Sequence, residues 1–162
     1  MNYFDIIPNF EAYPDFIMPR QATEGSAAID VFAQEDTVIR SQAQLVNLGF
    51  SAEFSPDYVC MMFTRSGNGI KRGIALSNGT GIIDADYPDA WLAAPYIHGH
   101  GTENHKLQCP HENSTDREYL VKKGEAIAQL VFIRKEQMAV RVISERTYNT
   151  DRKGGLGSTD RK

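Results

Sequence analysis

The stretch "AIAQLVFI" (residues 126–133) is apolar except for Gln129 and shows no alternation of polar and apolar residues. The stretch "YVCMMF" (58–63) has the same character, so we expect two strands whose faces are both covered, in part by another subunit. Further short runs rich in Val, Ile, Phe and Tyr are separated by turn residues, and the one helix signal lies in "GIKRGIALSN" (69–78). This pattern predicts an all-β fold, a β-sandwich or barrel. The other predicted strands are "AAIDVFA" (27–33), "DTVIR" (36–40), "AQLVNLGFSAEF" (43–54), "WLAAPYI" (91–97), "REYLV" (117–121) and "AVRVISE" (139–145).

The composition narrows the functional classes. A chain of 162 residues is expected to form one domain, and its formal charge of −4 argues against a protein that binds nucleic acid or a membrane surface through charge. No apolar run is long enough to span a bilayer, and the first residues lack the basic start of a secretory signal. Cys60 and Cys109, the two cysteines, are expected to be reduced thiols, which favours a cytoplasmic protein.

Two glycine-containing segments could bind an anion. "TRSGNG" (64–69) offers a guanidinium, a hydroxyl and open backbone N–H groups, although a plain surface loop has the same composition. The tail "DRKGGLGSTDRK" (151–162) combines glycines with Arg152, Lys153, Ser158 and Thr159, and it lacks the spacing of a P-loop. A frayed C-terminus is the alternative for this tail.

A polar segment of residues 98–117 contains every histidine of the chain. Zinc prefers imidazole and thiolate ligands, but the spacing is not that of familiar zinc sites. Metal binding and a solvated extension therefore both remain open for this segment. The candidate ligands are His98, His100, His105, Cys109 and His111.

The segment "SNGTGIIDADYPDA" (77–90) places two acids and a tyrosine after an apolar pair. Asn78-Gly79 predicts a tight turn. If residues 80–87 are extended, Asp84 and Asp86 share one face and Tyr87 lies on the other. Such a pair of acids indicates either a solvated edge or a catalytic carboxylate.

Taken in order, five segments resemble the motifs of the trimeric deoxyuridine triphosphatase (dUTPase) family. They are "TEGSAAIDVFA" (23–33), "RSG" (65–67), "NGTGIIDADY" (78–87), "KKGEAIAQLVF" (122–132) and "GGLGST" (154–159). The resemblance implies a jelly-roll-like β domain over residues 1–148, with an inserted loop at about 98–117. It also implies a homotrimer with shared active sites, in which a flexible arm, residues 149–162, closes a neighbouring site.

The family's reaction is hydrolysis of dUTP to dUMP and pyrophosphate with Mg²⁺. By resemblance, Asp84 is the catalytic base for water attack on the α-phosphorus, Tyr87 contacts the deoxyribose, and Asp86 is structural. The uracil would be bound by Asn78 and by Gly81, Ile82 and Ile83.

The resemblance also implies which residues bind the phosphates and the metal. Asp30 would contact Mg²⁺ through water. Arg65 would support the site, and Ser158 and Thr159 would close over the γ-phosphate. The remaining substrate contacts would be Ser66, Gly67, Gln129, Arg152, Leu156 and Gly157.

The chain departs from the family pattern at three places. Ala28 stands where the family has glycine, and Pro88-Asp89 replaces a polar residue and glycine. Leu156 replaces the aromatic ring that stacks on uracil, and the arm is one residue shorter after Arg152. The two changes in the arm predict an active enzyme with a weaker closed state and a higher KM.

Two alternatives use the same scaffold. A dCTP deaminase would need a glutamate shortly after the third motif, and residues 84–101 contain none. A regulatory binding protein would use the inserted loop, which is longer than usual by roughly a dozen residues, to contact a protein partner.

Overall fold

A computed structural model of the chain describes residues 3–99, 101–103 and 117–147. Within these residues the structure is almost entirely β, with one short π-helix, Gly67–Arg72. The strands, in chain order, are β1 (Phe4–Pro8), β2 (Ile29–Phe32), β3 (Thr37–Arg40), β4 (Val46–Asn47), β5 (Phe50–Phe54), β6 (Tyr58–Phe63), β7 (Ile74–Leu76), β8 (Gly81–Ile83), β9 (Leu92–Ala93), β10 (Pro95–Ile97), β11 (Glu118–Val121) and β12 (Ala126–Arg134).

The strands form a four-stranded sheet in the order β2-β12-β6-β8 and four two-stranded sheets, all described pairs being antiparallel. The predicted all-β class is confirmed, although the described sheets do not close into a continuous barrel. The stretches 58–63 and 126–133 pair directly with each other as β6 and β12. In β6, Cys60 and Met62 are buried while Val59 and Met61 are half-buried, so within the described residues only one face of this strand is fully covered.

Aromatic rings fill one end of the core. The ring of Trp91 is 1% exposed, and its centroid lies 5.3 Å from that of Phe4 and 5.4 Å from that of Phe50. Phe54 meets Trp91 edge to face at 6.3 Å. These contacts join β1 and β5 to the loop before β9, and aromatic pairs of this kind stabilise a core beyond simple area burial.

The prediction of a strand at residues 139–145 is wrong for the described chain, which has no regular structure there. Val140 and Val142 are each 98% exposed, so no sheet of the described residues covers the apolar alternation. β-propensity reflects fit to a half-buried surface, and without such a surface the propensity alone does not make a strand. Conversely, β1 and β7 were not predicted from the sequence, because each is short and mixed with turn residues.

The turn at Asn78-Gly79 is present, with Gly79 at φ 68°. The strands on either side pair with different neighbours, β7 with β10 and β8 with β6. The segment is therefore a turn between two sheets, and the hairpin implied by the family resemblance is not a two-stranded ladder here. Ala28 needs no glycine conformation, since no described residue other than glycine has positive φ.

The described parts of the chain contain no helix with the length and apolar character of a membrane span. Burial raises the pKa of the Cys60 thiol to about 12, so this cysteine is protonated near neutral pH. It therefore behaves as a small apolar core residue, as the strand context predicted.

Substituting Phe50, which is 1% exposed, tests the aromatic core. We expect Phe50→Ala to lower the free energy of unfolding by about 3–5 kcal/mol, because it removes a buried ring and leaves a cavity. Urea denaturation at a fixed chain concentration measures this. Leu120→Ala, at a side chain 42% exposed, is the matched control and is expected to change stability far less. Equal losses in the two variants would contradict this assignment of the core.

Candidate functional site

A cavity of about 220 Å³ lies beside β8 and the turn before it. Its lining includes Asn78, Gly81, Ile82, Ile83 and Tyr87, the five residues that the family resemblance assigns to uracil and deoxyribose. The structure thus brings together residues from the 77–79 turn, from β8 and from the segment after it. The result is a small pocket that exposes both apolar side chains and polar groups, among them an amide and a phenol, a mixture found in sites for small organic ligands.

Four further residues line the same cavity and were not predicted from the sequence. They come from β6 and from the segment around β9, and they are Met62, Trp91, Leu92 and Ala94. Within the described residues, Trp91 Nε1 is the single buried side-chain polar atom without a hydrogen-bond partner. The sequence signal that could have identified Trp91 is that it is the chain's one tryptophan, four residues after Tyr87.

Gly81 fits closely against its neighbours at the cavity wall. It pairs with Met62 across the β6–β8 ladder. A Cβ at Gly81 would lie 3.2 Å from Met62 Cβ, which is tighter than ordinary packing, and 3.4 Å from Asn78 Nδ2, at the limit of ordinary contact. A side chain at this position would therefore need Met62 to give way.

Asp84 lies just beyond β8, where the chain turns. The Tyr87 N–H donates to the Asp84 carbonyl oxygen at 3.2 Å, and residues 85 and 86 form the turn. The extended alternation considered for residues 84–87 is therefore wrong, because β8 ends at Ile83. Asp84 and Asp86 nevertheless line one open cavity, shared with Phe54, Pro56, Ala85 and Lys135. Tyr87 lines the first cavity, so the turn carries residues of both.

A second group of predicted residues gathers around β12. Gln129 lies opposite Asp30 of β2 on one side and Phe63 of β6 on the other. Its Nε2 donates to the Thr64 carbonyl oxygen at 3.2 Å. The strand register therefore places Gln129 beside Asp30 and beside the segment that continues into Arg65 and Ser66.

Arg65 forms a bidentate ion pair with Asp30. The Arg65 Nε donates to Asp30 Oδ1 at 2.8 Å, and Nη2 donates to Oδ2 at 3.0 Å. The Asp30 side chain is 13% exposed and that of Arg65 34%. Two parallel hydrogen bonds fix the guanidinium plane. Asp30 therefore orients Arg65 at the start of the predicted phosphate loop, residues 65–67.

This geometry is compatible with contact between Asp30 and Mg²⁺ through water. Each carboxylate oxygen has lone pairs beyond the one that Arg65 occupies, so a water bound to the ion can still donate to it. Direct coordination would compete with both Arg65 hydrogen bonds. Mg²⁺ usually retains several of its waters in proteins, which suits such an outer contact.

Several predicted site residues lie outside the described residues. They include the whole proposed arm and four of the five candidate metal ligands. His98, the fifth candidate ligand, is described, and its ring centroid lies 6.1 Å from that of Tyr96, with the two rings tilted. In the described part of the chain, no group of three His, Cys, Asp or Glu side chains is placed to bind a metal ion. The residues outside the description are His100, His105, Cys109, His111, Arg152, Leu156, Gly157, Ser158 and Thr159.

The chain resembles known proteins in both sequence and fold. The dUTPase family model matches residues 15–93, which include Asp30, Arg65 and the 77–90 segment. A deoxyuridine 5'-triphosphate nucleotidohydrolase of Actinobacillus pleuropneumoniae serotype 3 is 30% identical over 152 residues, covering 91% of this chain and 90% of the relative.

Two solved structures share the fold. The dUTPase of Staphylococcus bacteriophage 80alpha, determined with dUPNHPP, has a TM-score of 0.76 at 21% identity and covers 98% of each chain. A mutant dUTPase from phage phi11 of S. aureus, described as revealing the coordination of a structural Mg(II) ion, has a TM-score of 0.71 at 19% identity, covering 91% of this chain and 100% of that one. The curated relative is 30% identical over nearly the whole of both chains, and the family model matches as well. This chain therefore belongs to the dUTPase family.

Proposed function

We propose that this protein hydrolyses dUTP to dUMP and pyrophosphate, acting as a dUTP diphosphatase. The observation that carries the proposal is the cavity that joins Asn78, Gly81 and Tyr87. Asp84 lines the neighbouring open cavity, and its carbonyl oxygen accepts the Tyr87 N–H across the turn that connects the two. Family membership supplies the substrate and the reaction. The cavity volume of about 220 Å³ accommodates a single pyrimidine ring.

Uracil is read by polar groups at the cavity edge and by the backbone of β8. The Asn78 amide and the backbone between Gly81 and Ile83 offer donors and acceptors in fixed positions. A base that leaves one of these buried groups unpaired is rejected strongly, so cytosine is discriminated against. Tyr87, 39% exposed at the rim, packs against the deoxyribose and leaves no room for a 2′-hydroxyl.

Asp84 orients a water molecule and takes its proton as the water oxygen attacks the α-phosphorus. The new bond joins the water oxygen to that phosphorus, and the bond to the bridging oxygen breaks, so pyrophosphate leaves with the electron pair. An aspartate is a modest base, and positioning of the water supplies most of its effect.

The phosphates bind to the group around β12. Ser66 and the Gly67 backbone donate to phosphate oxygens, Gln129 adds its amide, and Arg65 supplies positive charge oriented by Asp30. Mg²⁺, when bound near Asp30, neutralises phosphate charge. Preorganised donors of this kind stabilise the charge that develops during the reaction.

We propose further that the active unit is a cytoplasmic homotrimer with shared sites. The exposure of Val140 and Val142, each 98%, supports a neighbouring chain next to the segment after β12. Residues 1–148 form the β domain, and residues 149–162 form an arm in which Arg152, Gly157, Ser158 and Thr159 close over the triphosphate. Closure excludes water and completes the site.

A regulatory role is a second candidate. The 80alpha phage dUTPase is described as belonging to a group that controls transfer of virulence genes by a proto-oncogenic G protein-like mechanism. The inserted loop at 98–117 is where a protein partner would bind this chain. The deaminase alternative is not favoured, because the relatives are dUTP hydrolases and residues 84–101 contain no glutamate.

The activity is tested by incubating the protein and Mg²⁺ with dUTP, dCTP, dTTP or UTP. We expect pyrophosphate from dUTP alone. Asp84→Asn is expected to lower kcat by at least about a hundredfold, because it removes the proton acceptor. Asp86→Asn is the matched control on the same turn and should retain activity. Ammonia release from dCTP would overturn the proposal, as would full activity of Asp84→Asn.

Gly81→Ala tests base recognition. The added methyl would press on Met62, and overpacking of this kind costs enough to weaken dUMP binding about tenfold. Isothermal titration calorimetry measures the change. Gly25→Ala, where a Cβ meets nothing within 4 Å, is the control and should bind normally. Unchanged affinity in Gly81→Ala would show that the base lies elsewhere.

Leu156→Phe tests the arm. An aromatic ring restores stacking on the uracil, so we expect a lower KM for dUTP with little change in kcat. Steady-state kinetics of the full-length chain measures both constants. A KM that stays the same or rises would contradict the proposed contact between Leu156 and the base.

A further inference from the structure

Asn68 is a buried polar residue next to the proposed phosphate loop. It is 3% exposed, and Gln34 is the other buried polar residue among those described. Its Nδ2 donates to the Ala126 carbonyl oxygen at 3.2 Å and to the Ile127 carbonyl oxygen at 3.1 Å. Its Oδ1 accepts a hydrogen bond from Arg72 Nη1 at 3.0 Å. One amide therefore connects the π-helix of residues 67–72 to the start of β12.

The two carbonyl groups belong to an irregular part of the sheet. The pairing of β12 with β2 shifts register between Ala126 and Ala128. Where the register of a ladder shifts, backbone groups often pair with donors from outside the ladder. The Asn68 side chain supplies two such donors at this point.

Arg72 extends the connection. Its Nη1 also donates to Glu125 Oε2 at 3.2 Å, and its guanidinium carbon lies 4.3 Å from the centre of the Tyr119 ring. The guanidinium is held by a carboxylate, an amide oxygen and an aromatic face together. A network satisfied on all sides is rigid, and removal of one member leaves the others unpaired.

The other end of the helix is held separately. The Thr102 N–H donates to the Ile70 carbonyl oxygen at 2.9 Å, and the Glu103 N–H donates to the Lys71 carbonyl oxygen at 2.8 Å. These contacts fix the end that leads away from the phosphate loop. Asn68 connects the N-terminal end of the π-helix, next to Ser66 and Gly67, to β12.

We propose that Asn68 is a positioning residue that sets the spacing between the Ser66–Gly67 loop and Gln129. Gly67 precedes Asn68, and Ile127, whose carbonyl Asn68 binds, lies two residues before Gln129. The amide therefore couples the two elements that contact the triphosphate. This inference rests on the proposed function, because the phosphate contacts are those assigned there.

The arrangement predicts a selective defect. The base cavity is lined from β6, the Asn78 turn, β8, Tyr87 and the segment around β9, and its lining does not include Asn68. Loss of the amide therefore misplaces the triphosphate contacts and leaves the nucleoside contacts intact. A leucine would fill similar space but would leave two carbonyls and a guanidinium nitrogen without this partner.

The test compares binding of dUPNHPP and dUMP to wild type and Asn68→Leu by calorimetry, with KM and kcat for dUTP measured beside them. We expect the Kd of dUPNHPP and the KM of dUTP to rise roughly tenfold to a hundredfold, the range that small misplacement of binding groups produces. The Kd of dUMP should stay close to that of wild type. Arg72→Met, which removes one hydrogen bond to the same amide, should shift dUPNHPP binding in the same direction but less. It supplies the same comparison if Asn68→Leu does not fold.

Gln34→Leu is the matched control. The Gln34 amide also bridges backbone groups, donating to the carbonyl oxygens of Ile17 at 3.1 Å and Phe32 at 3.2 Å. Its loss should lower thermal stability without changing the ratio of dUPNHPP to dUMP affinity. Equal loss of both ligands in Asn68→Leu, or no loss of either, would overturn the positioning role. Failure of the wild-type protein to hydrolyse dUTP would instead refute the proposed function. The positioning role of Asn68 would then be decided by the affinities for dUPNHPP and dUMP alone.

Discussion

The antiparallel pairing of β12 between β2 and β6 is the constraint on which the rest of the site depends. It sets Gln129 opposite Asp30 and Phe63, and Arg65 follows two residues after Phe63. Because side chains alternate along a strand, a slip of one residue would move Gln129 to the other face of the sheet. The bidentate ion pair of Arg65 with Asp30 then links the loop after β6 to β2.

The strand β6 joins the two halves of the proposed site. On one edge it pairs with β12, and on the other Met62 lies opposite Gly81 of β8. After β6 ends, the Thr64 hydroxyl accepts a hydrogen bond from the Leu76 N–H at 3.0 Å, which ties the phosphate loop to the strand before the Asn78 turn. One strand thus positions both the residues that we propose to bind the base and those that we propose to bind the phosphates.

Much of the fold was predictable from the sequence, because local apolar runs such as 58–63 and 126–133 become strands wherever the core can cover them. The ordered motifs also identified Asp30, Arg65 and Gln129, which the structure brings together. Three kinds of feature required coordinates. The exposed run at 139–145 has strand propensity but pairs with no strand among the described residues. The turn at Asp84 depends on where β8 ends, and the proposed role of Asn68 depends on a register shift in a distant strand. Each is set by tertiary contacts that a pattern of neighbouring residues does not encode.

In the proposed mechanism, Asp84 directs water to the α-phosphorus of dUTP. Hydrolysis in water enriched in a heavy oxygen isotope, followed by mass spectrometry of both products, identifies the phosphorus that is attacked. We expect the heavy oxygen in dUMP and none from the solvent in pyrophosphate. Label in the pyrophosphate would place the attack on the β-phosphorus, and it would contradict the role assigned to the turn that carries Asp84.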